Sequence, residues 1–272
     1  MSRLGFDVAG EGPTALLVHG FTGSRDAWGV ELVEALARDL RVVRVDLPGH
    51  GASPAWTRPA HYQLDRVLAE LVAVLDRIGA ERPLWIGYSL GGRISLGAAA
   101  LCPERVAALV LEGASPGLAE PAERAARTRD DEAITVRLER NGIEAFVDYW
   151  MGLPLFASQR RLGPERLARE RERRLRNSPA ALAACLRGLG TGAQPSFWQA
   201  LPGLRVPALL LAGEGDLKFR AICERMAEAM PRAETRVIPG CGHATHLENP
   251  EAWLAAIRHF AARLGCMEGE RA

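Results

Sequence analysis

Leu84-Trp85-Ile86-Gly87-Tyr88-Ser89-Leu90-Gly91-Gly92-Arg93 runs an apolar segment straight into Gly-x-Ser-x-Gly, and a helix-forming stretch follows. A strand that turns at once into a helix leaves no room for side chains two positions either side of the serine, so glycine belongs at 87 and 91. The serine hydroxyl then projects from the strand end. Unpaired N–H groups at the helix start are free to receive developing negative charge. The motif is short and glycine is frequent, so the rest of the chain decides what Ser89 does.

Outward from this turn the chain alternates. Strands are expected at 4–8, 14–18, 41–45, 83–86, 106–111, 208–212 and 235–238, with helices at 30–40, 64–78, 93–101, 220–229 and 250–264. Leu64, Val67, Leu68, Leu71, Val72, Leu75 and Ile78 keep the helical period over almost four turns. From about 116 to 202 the strand pattern stops, and helical stretches at 120–140, 143–150, 164–176 and 179–187 are parted by Gly and Pro. The expectation is an α/β fold: a mostly parallel sheet flanked by helices (1–115 and 203–265), an inserted helical cap (116–202) and a frayed tail (266–272). Ligands of such sheets bind at the carboxyl ends of the strands. His19, Asp46, Ser89, Asp216 and His243 all follow expected strands and so share that edge, with the inserted block as its roof.

Composition narrows the class. The 272 residues are 48% hydrophobic and 25% charged with a net charge of +1, which argues against a nucleic-acid or membrane-surface partner. Cys102, Cys185, Cys223, Cys241 and Cys266 are odd in number, scattered and without Cys-x-x-Cys, as in a reducing compartment. The N-terminus lacks a signal-peptide core and the apolar run near 94–102 is too short to span a bilayer, so a cytoplasmic protein is expected. Lys218 is the only lysine, a bias that reads as a GC-rich genome.

A serine becomes a nucleophile or base only when a histidine takes its proton and a carboxylate orients that histidine. Of six histidines, His259 reads as structural in the last helix, His61 as a turn residue, and His50 and His19 as loop anchors. His243, after a strand and in Gly-Cys-Gly-His, suits a loop residue reaching toward a neighbouring strand end, whereas His246 lies nearer the next helix and reads as structural. Cys241, His243 and His246 could hold zinc, but no fourth ligand lies nearby. Asp216 follows the strand one β/α unit earlier. Its competing reading is the cap of the next helix, and Glu214 is a rival acid. The backbone N–H groups of Leu90, just after the serine, and Phe21, in the early His19-Gly20 loop, are the candidate oxyanion donors.

The order Ser89, Asp216, His243 is that of the α/β-hydrolase triad, and the chain resembles that superfamily over roughly 4–264. Within it the chain resembles the 2-succinyl-6-hydroxy-2,4-cyclohexadiene-1-carboxylate synthases of menaquinone biosynthesis. The residues that carry the likeness are Leu17-Val-His-Gly-Phe-Thr-Gly23, Val45-Asp-Leu-Pro-Gly-His-Gly51, Gly87-Tyr-Ser-Leu-Gly-Gly-Arg93 and Leu111-Glu-Gly-Ala-Ser-Pro-Gly-Leu118. Tyr149-Trp-Met-Gly-Leu-Pro-Leu-Phe-Ala-Ser158, Leu175-Arg-Asn-Ser178, Gly213-Glu-Gly-Asp-Leu-Lys-Phe219 and Gly242-His243 extend it. The resemblance implies a cofactor-free lyase that expels pyruvate from a small polyanionic enolpyruvyl ether. It further implies Ser89 as base, Arg93, Arg127 and Arg176 as carboxylate clamps, and Tyr88, Tyr149, Trp150 and Phe156 as pocket lining.

The arginine distribution suits such a substrate, since guanidinium pairs carboxylates bidentately. Fourteen arginines against eleven acids fall in 117–200, although Arg169, Arg171, Arg173 and Arg174 alternate with Glu170 and Glu172 as on an exposed face. The main rival is a serine hydrolase with the same triad, an esterase or a carbon–carbon bond hydrolase of an anionic diketone. Dehalogenase or epoxide-hydrolase chemistry needs a carboxylate where Ser89 stands. A non-catalytic hydrolase-fold receptor sits poorly with an intact triad. Gly188-Leu-Gly-Thr-Gly192 follows a helix, which counts against a dinucleotide site.

Overall fold

The computed structural model describes residues 2–265, so Cys266 and the expected frayed tail lie outside the described residues. Seven strands form one sheet: β1 (Phe6–Ala9), β2 (Thr14–Val18), β3 (Arg41–Val45), β4 (Leu84–Tyr88), β5 (Ala108–Glu112), β6 (Ala208–Gly213) and β7 (Ala233–Ile238). Their spatial order is β1-β3-β2-β4-β5-β6-β7, with β1 antiparallel to β3 and the other neighbours parallel. A strand covered on both faces reads as a continuous apolar run, and Leu84–Tyr88, Ala108–Glu112 and Ala208–Gly213 are almost wholly buried.

Alternation along each strand splits the core in two. Leu16, Val18, Trp85, Leu109 and Leu111 pack on one face with residues of α2 (Leu64–Arg77), α3 (Leu90–Leu101) and α7 (Leu217–Ala229). Ala15, Leu17, Leu84, Ile86 and Val110 pack on the other with α1 (Val30–Leu36) and with α9 (Pro250–Arg263), which follows the one-turn α8 (Thr245–Glu248). Fully burying each such Leu, Ile or Val contributes about 1.5–3 kcal/mol.

Between β5 and β6 the chain is helical: α4 (Pro121–Met151), α5 (Pro164–Leu175) and α6 (Pro179–Leu189). The break expected near 141 is there. Gly142 adopts φ 77°, ψ 178°, a left-handed-side conformation open to glycine, and α4 kinks at it. Leu138, Phe146, Val147, Leu182 and Ala183 give these helices a small core of their own. Some helices differ from their expected spans: α1 ends at Leu36, short of 40, and α3 starts at Leu90 rather than 93. In addition, α7 starts at Leu217, three residues early, because Asp216 caps it by accepting a hydrogen bond from the Phe219 amide. Among the described residues no helix is long and apolar enough to cross a membrane.

Candidate active site

Ser89 sits at φ 51°, ψ −109°, one of two non-glycine residues with positive φ among those described. Such strain persists only where the surroundings enforce it. Here they do. A Cβ at Gly87 would come within 2.5 Å of the Gly91 carbonyl oxygen, and one at Gly91 would collide with the Val18 carbonyl. Ser89 N–H donates to Glu112 O at 2.8 Å, closing the β4–β5 ladder, and Ser89 O accepts from Arg93 N–H at 3.0 Å, opening α3. The residue thus belongs to the strand through its N–H and to the helix through its carbonyl.

His243 bridges the two other expected triad members. Its Nδ1 lies 2.7 Å from Asp216 Oδ2, and its Nε2 lies 3.2 Å from Ser89 Oγ. With the proton on Nδ1, donating to Asp216, Nε2 is left to accept from the Ser89 hydroxyl. Both His243 and Asp216 are buried. Asp216 keeps its competing role as well, since its Oδ1 caps α7. Glu214 is turned elsewhere and accepts from Gly240 N–H at 2.9 Å. The rings of Phe219, Tyr88 and Phe156 surround the imidazole with centroids 4.6, 5.4 and 6.1 Å away.

The loop carrying His243 is fixed from below by Glu112, which terminates an otherwise apolar β5. Its buried carboxylate accepts from Thr245 Oγ1 at 2.8 Å, His246 N–H at 3.0 Å, His246 Nδ1 at 2.9 Å and Trp253 Nε1 at 3.0 Å. Burial pushes Glu112 up, but the His246 imidazole and these hydrogen bonds outweigh it and hold the carboxyl below its usual range. Glu248 adds a second tie, accepting from Gly242 N–H at 2.8 Å. His246 is therefore structural, as its place in the sequence suggested. Glu112 was not singled out there, and the available signal was an acid ending a strand that is apolar elsewhere.

The loop after β2 is held by His19, whose Nδ1 meets Gly20 O at 2.8 Å while Nε2 accepts from Leu47 N–H at 3.0 Å. Burial lowers His19 to about 4, so it stays neutral. His50 is likewise a loop anchor, with Nδ1 2.9 Å from Pro48 O. His61 stacks on Trp56, and His259 is exposed on α9. Two contacts from the helical insert fasten the same loop region: Asn177 Nδ2 donates to Thr22 O at 2.9 Å, and Arg173 Nη1 donates to Asp26 O at 2.9 Å.

Above Ser89 lies a cavity of about 200 Å³ lined by Phe21, Tyr88, Ser89, Leu90, Arg93, Arg127, Trp150, Phe156, Lys218 and His243, among others. Arg93, Arg127 and Lys218 bring three cations to its wall, and no carboxylate is among the described lining residues. Arg93 donates through Nη1 to Gln194 Oε1 and through Nη2 to Leu189 O at 3.1 Å. Burial, then the neighbouring Arg127, lower it to about 10, so it remains charged at neutral pH. Arg127 Nε donates to the buried Asp131 Oδ1 at 2.8 Å.

Two expected lining residues are not brought to this cavity. Arg176 is exposed just past the end of α5. The last turns of α5 tuck Arg173 and Arg174 partly out of solvent instead, both paired with the buried Glu170. The expectation that these two arginines form a solvated face is therefore corrected: α5 turns them inward toward Glu170 and the Asp26 carbonyl. Tyr149 lies under the Arg137 guanidinium, 4.3 Å from its ring centroid, while Trp150 lines the cavity. Successive helical residues point about 100° apart, and of these two it is Trp150 that α4 turns to the cavity.

A family model described as alpha/beta hydrolase fold matches residues 13–250. The solved S. aureus MenH structure superposes with a TM-score of 0.90 at 33% identity, covering 97% of this chain and 99% of that one. A Serratia proteamaculans (strain 568) 2-succinyl-6-hydroxy-2,4-cyclohexadiene-1-carboxylate synthase is 32% identical over 256 residues, covering 93% of this chain and 94% of its own. A Bacillus subtilis (strain 168) protein, whose name marks it as a candidate synthase of the same kind, is 38% identical over 259 residues, 94% of both chains.

The chain belongs to the 2-succinyl-6-hydroxy-2,4-cyclohexadiene-1-carboxylate synthase family.

In this synthase-family chain the loops that follow β2, β4, β5 and β7 converge on one cavity, and its charged lining comes from α3, α4 and α7. Three contributors escaped the sequence reading: Lys218 at the start of α7, Asp131 behind Arg127, and Gln194 behind Arg93. Lys218 was noted as the only lysine but put down to composition; its place two residues from the expected acid was the signal for a site role. Nothing in the local sequence marks the other two.

Proposed function

We propose that the chain eliminates pyruvate from 2-succinyl-5-enolpyruvyl-6-hydroxy-3-cyclohexene-1-carboxylate, giving 2-succinyl-6-hydroxy-2,4-cyclohexadiene-1-carboxylate in menaquinone biosynthesis. The observation that carries this reading is the coincidence of a hydrogen-bonded Ser89–His243–Asp216 line with three cations, and no carboxylate among the described lining residues, on one cavity. A polyanion is the natural occupant of such a wall.

In the mechanism, His243, oriented by Asp216, takes the Ser89 proton. The Ser89 oxygen removes the proton on the carbon alpha to the succinyl ketone. The electron pair left on carbon moves onto the ketone oxygen, and the enolate lies between the N–H groups of Phe21 and Leu90. The pair then returns through the ring double bond, the carbon–oxygen bond to the enolpyruvyl group breaks, and the imidazolium supplies the proton that the leaving group needs to become pyruvate. Ser89 ends as a hydroxyl and His243 as a neutral ring. An enolate and a tetrahedral intermediate both put charge on a former carbonyl oxygen, and one donor there is worth about 3 kcal/mol.

Arg93 and Arg127 serve in this reading as carboxylate clamps, Tyr88, Trp150 and Phe156 shape the pocket, and 116–202 acts as a cap over a cytoplasmic, cofactor-free site. The test offers the enolpyruvyl substrate and a p-nitrophenyl ester side by side. Pyruvate release that collapses in Ser89→Ala is the expected result. Rapid ester turnover without pyruvate release would overturn the lyase reading in favour of a serine hydrolase.

A further inference from the structure

We propose that Gln194 is a positioning residue that aims the Arg93 guanidinium through a neutral acceptor, leaving its positive charge for a carboxylate of the substrate. The inference deepens the elimination reading and depends on it only for the identity of the anion. A guanidinium has donors and no acceptor, so the Gln194 amide must face it with Oε1, as observed. The amide nitrogen then points away. Gln194 is 1% exposed, yet its Nε2 finds no acceptor among the described protein groups.

An orphaned buried donor lowers stability. Glutamate at 194 would have nearly the same volume, could grip Arg93 with two oxygens and would leave no donor stranded. Stability alone therefore favours glutamate. Glutamate would also neutralise the one cavity arginine whose recorded partners, Gln194 Oε1 and Leu189 O, are both uncharged.

The charged surroundings support the same conclusion. Arg127 faces the same cavity and repels Arg93, and Asp131 lies within electrostatic range. Asp131, however, is occupied, with Oδ1 on Arg127 Nε at 2.8 Å and Oδ2 3.4 Å from Gly192 N–H. The Cys185 thiol, pushed up by burial to about 12, adds no negative charge near neutrality. Gln194 is itself anchored, its N–H donating to Gly190 O at 3.0 Å, and it lies 101 residues from Arg93 in the chain. The pairing is thus a product of the fold, joining the α6–β6 connection to the first turn of α3.

Wild type, Gln194→Glu and Gln194→Leu are compared in two measurements: KM and kcat for the enolpyruvyl substrate, and protection of Ser89 by succinate against a neutral fluorophosphonate. Gln194→Glu is expected to melt at or above the wild-type temperature and to label normally without succinate. Its KM and its half-protecting succinate concentration should rise about tenfold or more, with kcat within about threefold. Gln194→Leu, which removes the acceptor without adding charge, should show a smaller rise in both. Unchanged KM and protection in Gln194→Glu would overturn the proposal, as would a labelling rate that falls in parallel with affinity. Succinate protection that depends on Gln194 in a protein that releases no pyruvate would sink the elimination reading and keep this role. Pyruvate release with a normal KM in Gln194→Glu would do the reverse.

Discussion

Asp216 grips His243 with one carboxylate oxygen, Oδ2 to Nδ1 at 2.7 Å, and starts α7 with the other, Oδ1 to the Phe219 amide at 3.3 Å. The two jobs separate by substitution. Asn at 216 can still cap the helix but removes the charge that steadies the imidazolium, so activity should fall on the order of 10³–10⁴-fold with little change in melting. Asp216→Ala should lose the cap as well, a further cost of about 1 kcal/mol. Paired kinetics and urea titrations of the two variants make the comparison, and an active Asp216→Asn would remove Asp216 from the proposed mechanism.

The placement of the arginines predicts unequal effects. Arg93→Ala takes a charged donor from the cavity wall and should raise KM for the polyanion about 10- to 100-fold. Arg176→Ala alters an exposed side chain outside the cavity and should leave KM within about twofold. Steady-state kinetics on both decide the matter. A large effect at Arg176 would mean that the cap rearranges when substrate binds.

Acid should destabilise this fold earlier than carboxylates alone would. His19 and His50 are buried and neutral, lowered by burial from 6.5 to about 4 and about 3. The unfolded chain takes up their protons as pH drops below 6.5, whereas the native state does not. Their contribution is thus complete above pH 6.5 and is lost as pH falls toward about 4, at about 1.4 kcal/mol per pH unit for each ring. Glu112 acts lower down: held below its usual 4.5, it stabilises above that value and loses its contribution as pH falls through the depressed one. Urea midpoints measured from pH 7 to pH 4.5 should slope downward, and His50→Gln should remove about one proton from that slope. A flat wild-type profile would show that these rings titrate normally.

Gly91→Ala should prevent folding or cost more than about 4 kcal/mol, because the added methyl runs into the buried Val18 carbonyl at the end of β2. Soluble expression and thermal melting report the outcome, and a well-folded variant would show that the turn can relax.

These cases mark what the sequence could and could not disclose. The elbow was readable because its constraint is steric and local: two glycines, a serine and a strand–helix switch within ten residues. Asp216 and His243 were readable because each follows a recognisable strand, and parallel pairing brings strand ends together whatever lies between them. The cap was less readable. Arg173 and Arg174 in the last turn of α5 and Arg176 just past it look alike in sequence, and what turns the first two inward is Glu170 and a carbonyl at Asp26, some 147 residues from Arg173 in the chain. Tyr149 and Trp150 pose the same problem one residue apart. Gln194 was invisible for a further reason, since its partner lies on an element with no local relation to it.

The bonds from Asn177 to Thr22 and from Arg173 to Asp26 have a consequence for how relatives of this protein can diverge. They connect the helical insert to the short loop that carries Phe21, so exchanging either segment alone would break both bonds. A chimera that exchanges the insert alone would leave the Thr22 carbonyl facing a foreign helix end and would detune the turn beside Ser89. Transplanting 20–26 together with the insert should restore it. A library built on this scaffold should therefore vary the insert and the loop together, because one is bonded to the other.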